Sequence, residues 1–333
     1  MSKKKVLVLG GGGFVGGHLA KRLKEEGCFV RVADIKKEPS FHKKEEICDE
    51  YAPVDLRNPS FVSLCMHAPD QKSLDDSENA FDEVYNLAAD MGGAGYIFSG
   101  DNDLQVMTNS SKINLNVVDS AVSFNVKKIF FSSSACVYPE HNQLDPDNPI
   151  TEEDSAYPAN PDSEYGWEKL FSERLYLSAN RNENLDVRIA RYHNVYGPNC
   201  SWNDGKEKAP AAICRKVAEN DKVVEVWGDG EQTRSFLYID DAIDATIAFM
   251  RQDKHLGPVN IGSEQMVTIN GLVNTVMSVS GKKLKIKHID GPLGVRGRSS
   301  DNRLISELIG WKPQYQLKDG VQLTYDWIKK QVG

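Results

Sequence analysis

The sequence lacks the signatures of a zinc site, a disulfide scaffold and a membrane span. Its six cysteines form no Cys-x-x-Cys pair and no zinc-like spacing with the seven histidines, and no His-Glu-x-x-His motif occurs. The apolar run from Val6 to Leu9 is too short to cross a bilayer, and the glycines after it end any signal-like segment that Lys3 to Lys5 begin. We therefore expect a cytoplasmic protein with reduced thiols, no metal, no targeting segment and no membrane contact.

The composition also lacks a basic excess. The 333 residues include 40 Lys and Arg against 48 Asp and Glu, which gives a formal net charge of −8, and 40% of them are hydrophobic. These proportions exclude a disordered or collagen-like chain. The acidic balance argues against nucleic acid as a partner, because phosphate backbones are bound by basic surfaces. A local basic pocket for a small phosphorylated ligand remains compatible with it.

Short apolar runs alternate with amphipathic segments of helix length in the first half of the chain. Val6 to Leu9 predicts a buried strand, and a helix is predicted from Phe14 to about Glu26, with Gly27 as its stop. Further strands are predicted at Phe29 to Ala33, Glu83 to Leu87, Lys128 to Ser132 and Asp186 to Ala190. Strands that alternate with helices predict an α/β fold with a doubly wound parallel (Rossmann) sheet.

The turn after the first predicted strand carries a dinucleotide-binding pattern, Gly10-x-x-Gly13-x-x-Gly16. Glycines allow the chain to turn sharply and its backbone to approach a pyrophosphate, while the helix that begins at Phe14 and Val15 offers free amide donors to that anion. Asp34 follows the second strand, where a carboxylate accepts hydrogen bonds from ribose hydroxyls and repels a 2′-phosphate. The pattern therefore predicts NAD rather than NADP.

Asp55 and Leu56, after the third apolar run, are further candidates for contact with the adenine. Beyond about residue 190 the alternation becomes irregular, and Pro198 to Lys208 is typical of a loop. At about 150 residues per domain the length predicts two domains. We expect residues 1–197 with 232–262 to bind NAD, and 198–231 with 263–333 to form a smaller C-terminal α/β domain that binds the substrate.

Tyr165 and Lys169 lie four residues apart in a helix-like stretch, so both side chains are expected on one helix face. An ammonium beside a phenol favours the phenolate, and we expect it to pull the pKa of Tyr165 below the usual value of about 10. The run Ser132-Ser133-Ser134 stands at the end of a predicted strand, and strand ends of this kind face the ligand crevice of a parallel sheet. These features together indicate hydride-transfer chemistry.

With these motifs the chain resembles the extended short-chain dehydrogenase/reductase family, whose members modify nucleotide-activated sugars. The resemblance covers essentially the whole chain and includes Asn86-Leu87-Ala88-Ala89, Asn194 to Pro198, Gly230 to Phe236 and Arg298-Ser299-Ser300-Asp301. It implies that Ser134, Tyr165 and Lys169 are the catalytic triad, and that Tyr165, Lys169 and Ala88 contact NAD. It also implies a homodimer formed through helices of the nucleotide domain.

The residues after Ser134 restrict the set of reactions that the chain is expected to catalyse. Members that are sugar 4,6-dehydratases carry an Asp-Glu pair there, whereas this sequence has Ala135-Cys136. A free cysteine is usually a small buried hydrophobe. We expect Cys136 to lie in the cofactor cleft near Lys169 and Lys208, where electropositive surroundings would favour a reactive thiolate.

Within the family, the resemblance is strongest to the nucleotide-sugar 3,5-epimerases that act on GDP-mannose. The supporting blocks are Asp90 to Gly95, Ser134 to Glu140, Glu207 to Ala212 and Gly294 to Asn302. This resemblance implies that Cys136 and Lys208 form the acid/base pair, and that the substrate contacts include Ser134 and Lys208 together with Gly93, Asn194, Lys216, Gln232 and Arg298. Arg234 joins this set because forked guanidinium donors suit a diphosphate. Trp202 and Trp227 suit either base stacking or packing.

Three alternatives remain at this point. A 3,5-epimerase that also reduces carbon 4 would consume NADPH, which Asp34 disfavours. Another nucleotide-sugar enzyme, such as a 4-epimerase, would not need Cys136. A non-catalytic NAD-binding regulator or an RNA-associated member is disfavoured by the complete set of Ser134, Tyr165 and Lys169 and by the net charge of −8.

Overall fold

A computed structural model describes residues 3–74, 76–291 and 294–332 of the chain. Its strands are β1 (Lys5–Leu9), β2 (Phe29–Asp34), β3 (Glu50–Pro53), β4 (Glu83–Asn86), β5 (Ile129–Ser134), β6 (Val187–Tyr192), β7 (Val195–Tyr196), β8 (Val223–Trp227), β9 (Thr233–Ser235), β10 (Leu237–Tyr238), β11 (Val259–Ile261), β12 (Met266–Thr268), β13 (Lys285–Ile289) and β14 (Gly297–Arg298). Its helices are α1 (Phe14–Glu25), α2 (Lys44–Ile47), α3 (Pro59–Met66), α4 (Ala94–Ile97), α5 (Asp103–Ser123), α6 (Glu164–Glu183), α7 (Ala209–Glu219), α8 (Ile239–Arg251), α9 (Ile269–Ser280), α10 (Arg303–Ile309) and α11 (Leu317–Val332).

The main sheet contains seven strands in the order β11-β6-β5-β4-β1-β2-β3. All of its pairings are parallel. The order reverses between β1 and β4, and such a switch point opens a crevice at the carboxyl ends of the strands. The predicted doubly wound parallel sheet is therefore confirmed, and the crevice is the place to look for a site.

Both faces of the main sheet are covered by helices. Along β1, Val6 and Val8 pack into the core that holds α1 and α8, whereas Leu7 and Leu9 pack into the core that holds α5 and α6. This alternation follows from the two-residue period of a strand. The sheet is thus buried on both sides, as its continuous apolar runs predict.

The residues that directly follow the central strands lie at the crevice. The glycine turn comes after β1, Ala88 follows β4, and Ser134 is the last residue of β5. The remaining strands form three small sheets, β7 with β10, β9 with β12 and β14, and β8 with β13. The division into two domains remains a prediction. Among the described residues, no helix combines the length and apolar character that crossing a bilayer requires.

Candidate active site

The glycine turn packs too closely for larger side chains. Gly10 has a φ of +80°, and a Cβ added to it would lie 2.7 Å from the backbone nitrogen of Ala88. A Cβ on Gly16 would lie 2.3 Å from the carbonyl oxygen of Gly10. Glycine is required at these two positions because the turn folds back on itself and presses against the end of β4.

The same turn leaves a helix end free for an anion. Gly13 is the residue that precedes α1, and no side chain in the described part of the chain caps this helix. The amides of the first turn, at Phe14, Val15 and Gly16, are therefore available to a phosphate. Asp34 is buried beside them, where its carboxylate accepts hydrogen bonds from the backbone amides of Gly12 (2.9 Å) and Lys36 (3.0 Å). These residues fit the pyrophosphate and ribose of a dinucleotide.

Asp55 and Leu56 differ in their surroundings. Asp55 forms an ion pair with Arg57 at 2.6 Å, and hydrogen bonds from Arg57 lower the pKa of its carboxyl. Leu56 is buried in the core on the α5 side, and its carbonyl oxygen accepts a hydrogen bond from Asn116. Neither geometry tests the predicted contact with the adenine.

Helix α6 brings Tyr165 and Lys169 to the crevice. Ser163 caps the helix by accepting a hydrogen bond from the amide of Gly166 at 3.3 Å, and both Tyr165 and Lys169 are buried. The phenol of Tyr165 is hydrogen-bonded to Ser134. The Lys169 ammonium donates to the carbonyl oxygen of Ser132 at 2.8 Å, so the three predicted residues meet at the end of β5.

The expected effect on the acidity of Tyr165 is wrong for the structure as described. Burial raises the pKa of Tyr165 well above its usual value, the charges of Cys136 and Glu168 raise it further, and only the hydrogen bond to Ser134 opposes them. Burial also lowers the pKa of Lys169. The reason is geometric, since the ammonium of Lys169 donates to a backbone carbonyl and lies 5.7 Å from the centre of the tyrosine ring.

Cys136 differs from the other cysteines by its exposure. It is half-buried, whereas the other five are buried. Its amide donates to the hydroxyl of Ser134 at 3.2 Å. A Cβ added to Gly166 would lie 2.1 Å from the carbonyl oxygen of Cys136, so the backbone of α6 packs directly against this turn. The cysteine and the tyrosine are therefore parts of one rigid unit.

Lys208, in the loop that directly precedes α7, is the second member of the predicted acid/base pair. It is half-buried, and within residues 3–74, 76–291 and 294–332 its ammonium has no hydrogen bond or ion pair. Burial lowers the pKa of Lys208, the negative form of Cys136 raises it, and the positive charge of Arg298 lowers it. The thiol of Cys136 and the amine of Lys208 therefore interact electrostatically, as the predicted acid/base pair requires.

Gly93 fixes the loop that carries Lys208. Its amide donates to the carbonyl oxygen of Lys206 at 3.0 Å, and a Cβ added to it would lie 2.3 Å from the carbonyl oxygen of Glu207. The structure therefore gives Gly93 a packing partner in the protein. Its predicted contact with substrate stays a prediction.

Two predicted phosphate-binding arginines are neighbours on paired strands. Arg234 of β9 lies opposite Arg298 of β14. Burial and the charge of Arg298 lower the pKa of Arg234 to about 9. Arg298 is buried and donates one hydrogen bond to the sulfur of Cys136 at 3.3 Å. These two arginines, of which Arg298 forms an ion pair with Asp162 at 2.7 Å, make up the arginine wall next to the thiol.

The remaining predicted substrate residues line the same edge. Asn194 has a φ of +41° and donates to the carbonyl oxygen of Ser235. Gln232 is buried, and its side-chain oxygen has no partner in the part of the chain described here. The Lys216 ammonium donates to the carbonyl oxygen of Glu225 and lies 6.0 Å from the ring centre of Trp227. Trp227 is 39% exposed, which leaves its indole available for stacking.

Comparison with known proteins decides the family. The model of the NAD dependent epimerase/dehydratase family matches residues 6–262. The chain belongs to this family. Its members are NAD dependent, so the dinucleotide that fits the crevice is NAD, as predicted.

Several relatives carry specific names. GDP-mannose 3,5-epimerase of Arabidopsis thaliana is 44% identical over 329 residues, which are 98% of this chain and 83% of that protein. GDP-mannose 3,5-epimerase 1 of Oryza sativa subsp. indica is 43% identical over 331 residues, with 99% and 83% covered. The predicted class of enzyme, an NAD-dependent epimerase, is confirmed by these relatives and the family model.

Solved structures of the family superpose over the full length. UDP-glucose 4-epimerase of Thermotoga maritima has a TM-score of 0.83 at 24% identity and covers 98% of this chain and 99% of its own. That likeness shows the fold. UDP-glucuronic acid 4-epimerase of Bacillus cereus, in complex with UDP-glucuronic acid and NAD, has a TM-score of 0.80 at 26% identity and covers 98% and 99%.

Two residues at the site were not predicted from the sequence. Gln143 and Asp162 both accept hydrogen bonds from Arg298. They belong to no motif and lie 155 and 136 positions before that arginine. Only the folded chain brings them together.

Proposed function

We propose that the chain is an NAD-dependent nucleotide-sugar 3,5-epimerase that converts GDP-mannose to GDP-L-galactose and GDP-L-gulose. The observation that carries this proposal is the pairing of a half-buried thiol, Cys136, with a lysine that has no partner in the described chain, Lys208, beside Tyr165. A 4-epimerase needs no such pair. The identity of 44% to a GDP-mannose 3,5-epimerase supports the same substrate.

At sugar carbon 4, Tyr165 takes the proton of the hydroxyl group, and Ser134 holds that hydroxyl in place through its own hydrogen bond. For this step Tyr165 must be in its phenolate form, and the ammonium of Lys169, 5.7 Å from the centre of the tyrosine ring, supplies positive charge that favours that form. NAD, held by the glycine turn and Asp34, would supply the acceptor and later the donor of the hydride at carbon 4, so that no cofactor would be consumed. The ketone that exists in between makes the hydrogens on carbons 3 and 5 acidic.

At carbons 3 and 5, one member of the Cys136–Lys208 pair removes a proton and the other returns one to the opposite face. In model peptides a thiol titrates near 8.5 and a lysine near 10.4, and both values must move toward neutrality for efficient transfer. Burial lowers the pKa of Lys208, which is the required direction. Because Arg298 donates a hydrogen bond to its sulfur, Cys136 suits the role of base.

The rest of the substrate would lie along the C-terminal edge of the crevice. We assign the diphosphate to the arginine wall of Arg234 and Arg298, where Gln232 and Asn194 offer further polar groups. Lys216 and the half-exposed Trp227 suit the nucleotide base, by charge and by stacking. Gly93 borders the sugar through the loop that it supports.

The decisive experiment is turnover of GDP-mannose in heavy water. We expect deuterium at carbons 3 and 5 of the recovered sugar nucleotide, located by NMR, and no net change in NAD. Cys136→Ala and Lys208→Ala should each reduce this exchange by two orders of magnitude or more, while the protein keeps its NAD content. Hydrogen retained at both carbons would exclude the proposal, and inversion at carbon 4 alone, unaffected by Cys136→Ala, would favour a 4-epimerase.

We also propose that the enzyme is a cytoplasmic homodimer. The free thiols of all six cysteines support a reducing compartment. Exposed apolar side chains on α5 and α6, including Leu115, Trp167 and Phe171, support a partner on that face. A second copy of the chain is the simplest partner, because the same face then covers itself.

A further inference from the structure

The guanidinium of Arg298 is held by three different side chains. Its Nε donates to Gln143 Oε1 at 2.5 Å, one terminal nitrogen donates to Asp162 Oδ2 at 2.7 Å, and the other donates to Cys136 Sγ at 3.3 Å. Each of the three nitrogens therefore has its own partner. This arrangement differs from a guanidinium whose donors all point to a ligand.

Gln143 is itself fixed before it meets the arginine. It is fully buried, and its amide nitrogen donates to the carbonyl oxygens of Tyr138 (3.1 Å) and Pro139 (3.3 Å). With the nitrogen held by these two carbonyls, the side-chain oxygen can point only toward Arg298. A separate hydrogen bond holds the turn that contains Gln143, from the side-chain amide of Asn142 to the carbonyl oxygen of Ser155.

Asp162 provides the second fixed point. Its side chain is 5% exposed and accepts a hydrogen bond from the hydroxyl of Ser163, the residue that caps α6. Asp162 thus ties the arginine to the beginning of the helix that carries Tyr165. Because a guanidinium is planar and rigid, two anchored nitrogens determine where the third one points.

Several charged or titratable groups act on the sulfur of Cys136. Those that interact with it electrostatically are Tyr165, Lys169, Lys208, Arg234 and Arg298. Asp162 adds a negative charge that acts on both arginines. Of the groups that interact with the sulfur, Arg298 also donates a hydrogen bond to it. Its orientation therefore decides how strongly the thiolate is stabilised.

We propose that Gln143, together with Asp162, is a positioning residue that holds the guanidinium of Arg298 against the sulfur of Cys136. In this arrangement the arginine serves the thiol as well as the substrate, and loss of the Gln143 oxygen frees the guanidinium to turn away. The proposal deepens the proposed function by adding a positioning residue. It rests on that function only in assuming that the Cys136 thiolate takes part in the reaction.

The test is the alkylation of Cys136 in the full-length protein, followed by mass spectrometry of its peptide. Iodoacetamide reacts with the thiolate, so the rate plotted against pH gives a midpoint for this one cysteine. Gln143→Met keeps the length of the side chain but has no acceptor oxygen for Nε. We expect the midpoint to rise by about half a pH unit, which is about threefold less thiolate at a fixed lower pH.

The matched control is Asn142→Ala, which removes one hydrogen bond from the same turn and touches neither Arg298 nor Cys136. It should leave the midpoint unchanged. Arg298→Lys keeps a positive charge without the planar fork, and it should raise the midpoint even if Gln143→Met folds poorly. Asp162→Asn is unsuitable, because it also removes a negative charge that opposes the thiolate.

The outcomes of these experiments distinguish failure of the positioning role from failure of the proposed function. A midpoint that is unchanged in Gln143→Met, or moved equally in Asn142→Ala, would overturn the positioning role. In the epimerase assay we expect Gln143→Met to lower kcat about threefold near neutral pH, with KM for GDP-mannose changed less than twofold. A wild-type protein without exchange at carbons 3 and 5, but with the shifted midpoint in Gln143→Met, would refute the function and leave the positioning role intact.

Discussion

Buried charges with few partners surround the catalytic tyrosine proposed here. Glu168 is fully buried, and one of its carboxylate oxygens accepts hydrogen bonds from Asn114 and Ser172. Its other oxygen has no partner among the residues that the structure describes. Burying a carboxylate in this way is costly, so we infer that its charge is retained for its effect on the adjacent groups.

Removing that charge should move the pH dependence of the reaction. The charge of Glu168 raises the pKa of both Tyr165 and Lys169, against burial in the case of the lysine. Glu168→Gln lowers both values, and both limbs of the kcat profile should move to lower pH by about half a unit. The pH profile of deuterium exchange measures this shift.

The matched substitution is Glu183→Gln, which removes an exposed carboxylate from the other end of the same helix. Water screens that charge, so its profile should coincide with the wild-type profile. A Glu168→Gln profile that stays in place, or moves to higher pH, would contradict the role inferred for this residue.

At the residue scale, site residues that belong to a sequence motif could be predicted, whereas residues that only folding brings together could not. Tyr165, Lys169, Cys136 and Lys208 follow from local patterns and from a resemblance, and the structure brings them together. The acidity of Tyr165 could not be predicted, because it depends on burial and on where the lysine donates its hydrogen bond. Gln143 could not be predicted either, since its partner lies 155 residues away.

At the scale of elements, the loop before α7 is held by the segment that contains α4. The Lys206 ammonium lies 3.9 Å from the ring centre of Tyr96 and 3.8 Å from the carboxylate of Asp90. The amide of Gly93 reaches the same loop. Together these contacts determine where Lys208, two residues further along the chain, presents its ammonium.

An added methyl group at Gly93 should therefore impair catalysis more than folding. In Gly93→Ala the Cβ would lie 2.3 Å from the carbonyl oxygen of Glu207, so the loop must move away. A displacement of about 1 Å at Lys208 is expected to lower kcat by about two orders of magnitude. Steady-state kinetics and thermal unfolding of the same preparation measure both effects.

Gly95→Ala is the control, because its Cβ would meet only the Trp227 ring at 3.5 Å, an ordinary contact. It should keep nearly full activity. Equal losses in the two variants would show that the segment tolerates no change at all, and would remove the support for a specific contact between Gly93 and the loop.

The ends of helices and strands were predicted well where a terminating residue such as glycine marks them. Helix α1 begins at Phe14 as predicted and ends one residue before the predicted Glu26, and Gly27 has a φ of +88°. Strand β6, in contrast, runs past its predicted end at Ala190 to Tyr192. Hydrophobic pattern alone could not predict this, because Arg191 is buried there by an ion pair with Glu173 of α6 at 2.8 Å.

At the scale of the whole molecule, the outer face of α5 and α6 is apolar. Trp167 and Phe171, one helical turn apart on α6, are 40% and 48% exposed, and Leu115 of α5 is 42% exposed. They line a cavity with Met107, Ser111 and Glu164. Since α6 also carries Tyr165 and Lys169, a partner on this face would support the helix that holds the reaction centre.

The double substitution Trp167→Glu with Phe171→Glu should produce monomers. Two charges on each copy would face each other across the proposed interface, where burial without partners is unfavourable. Sedimentation velocity measures the oligomeric state. Leu323→Glu changes an equally exposed leucine on α11 and should leave the dimer intact. A wild-type protein that is already monomeric would refute the dimer.

The close contact between Gly166 and the carbonyl of Cys136 has a consequence for the course of the reaction. It fastens the helix bearing the tyrosine to the turn bearing the sulfur, so neither group can travel relative to the other. In the proposed reaction, carbons 3 and 5, on either side of carbon 4, use the same Cys136–Lys208 pair. We therefore expect the pyranose ring to shift or change its pucker between the two inversions, while the turn and the helix keep their relative positions.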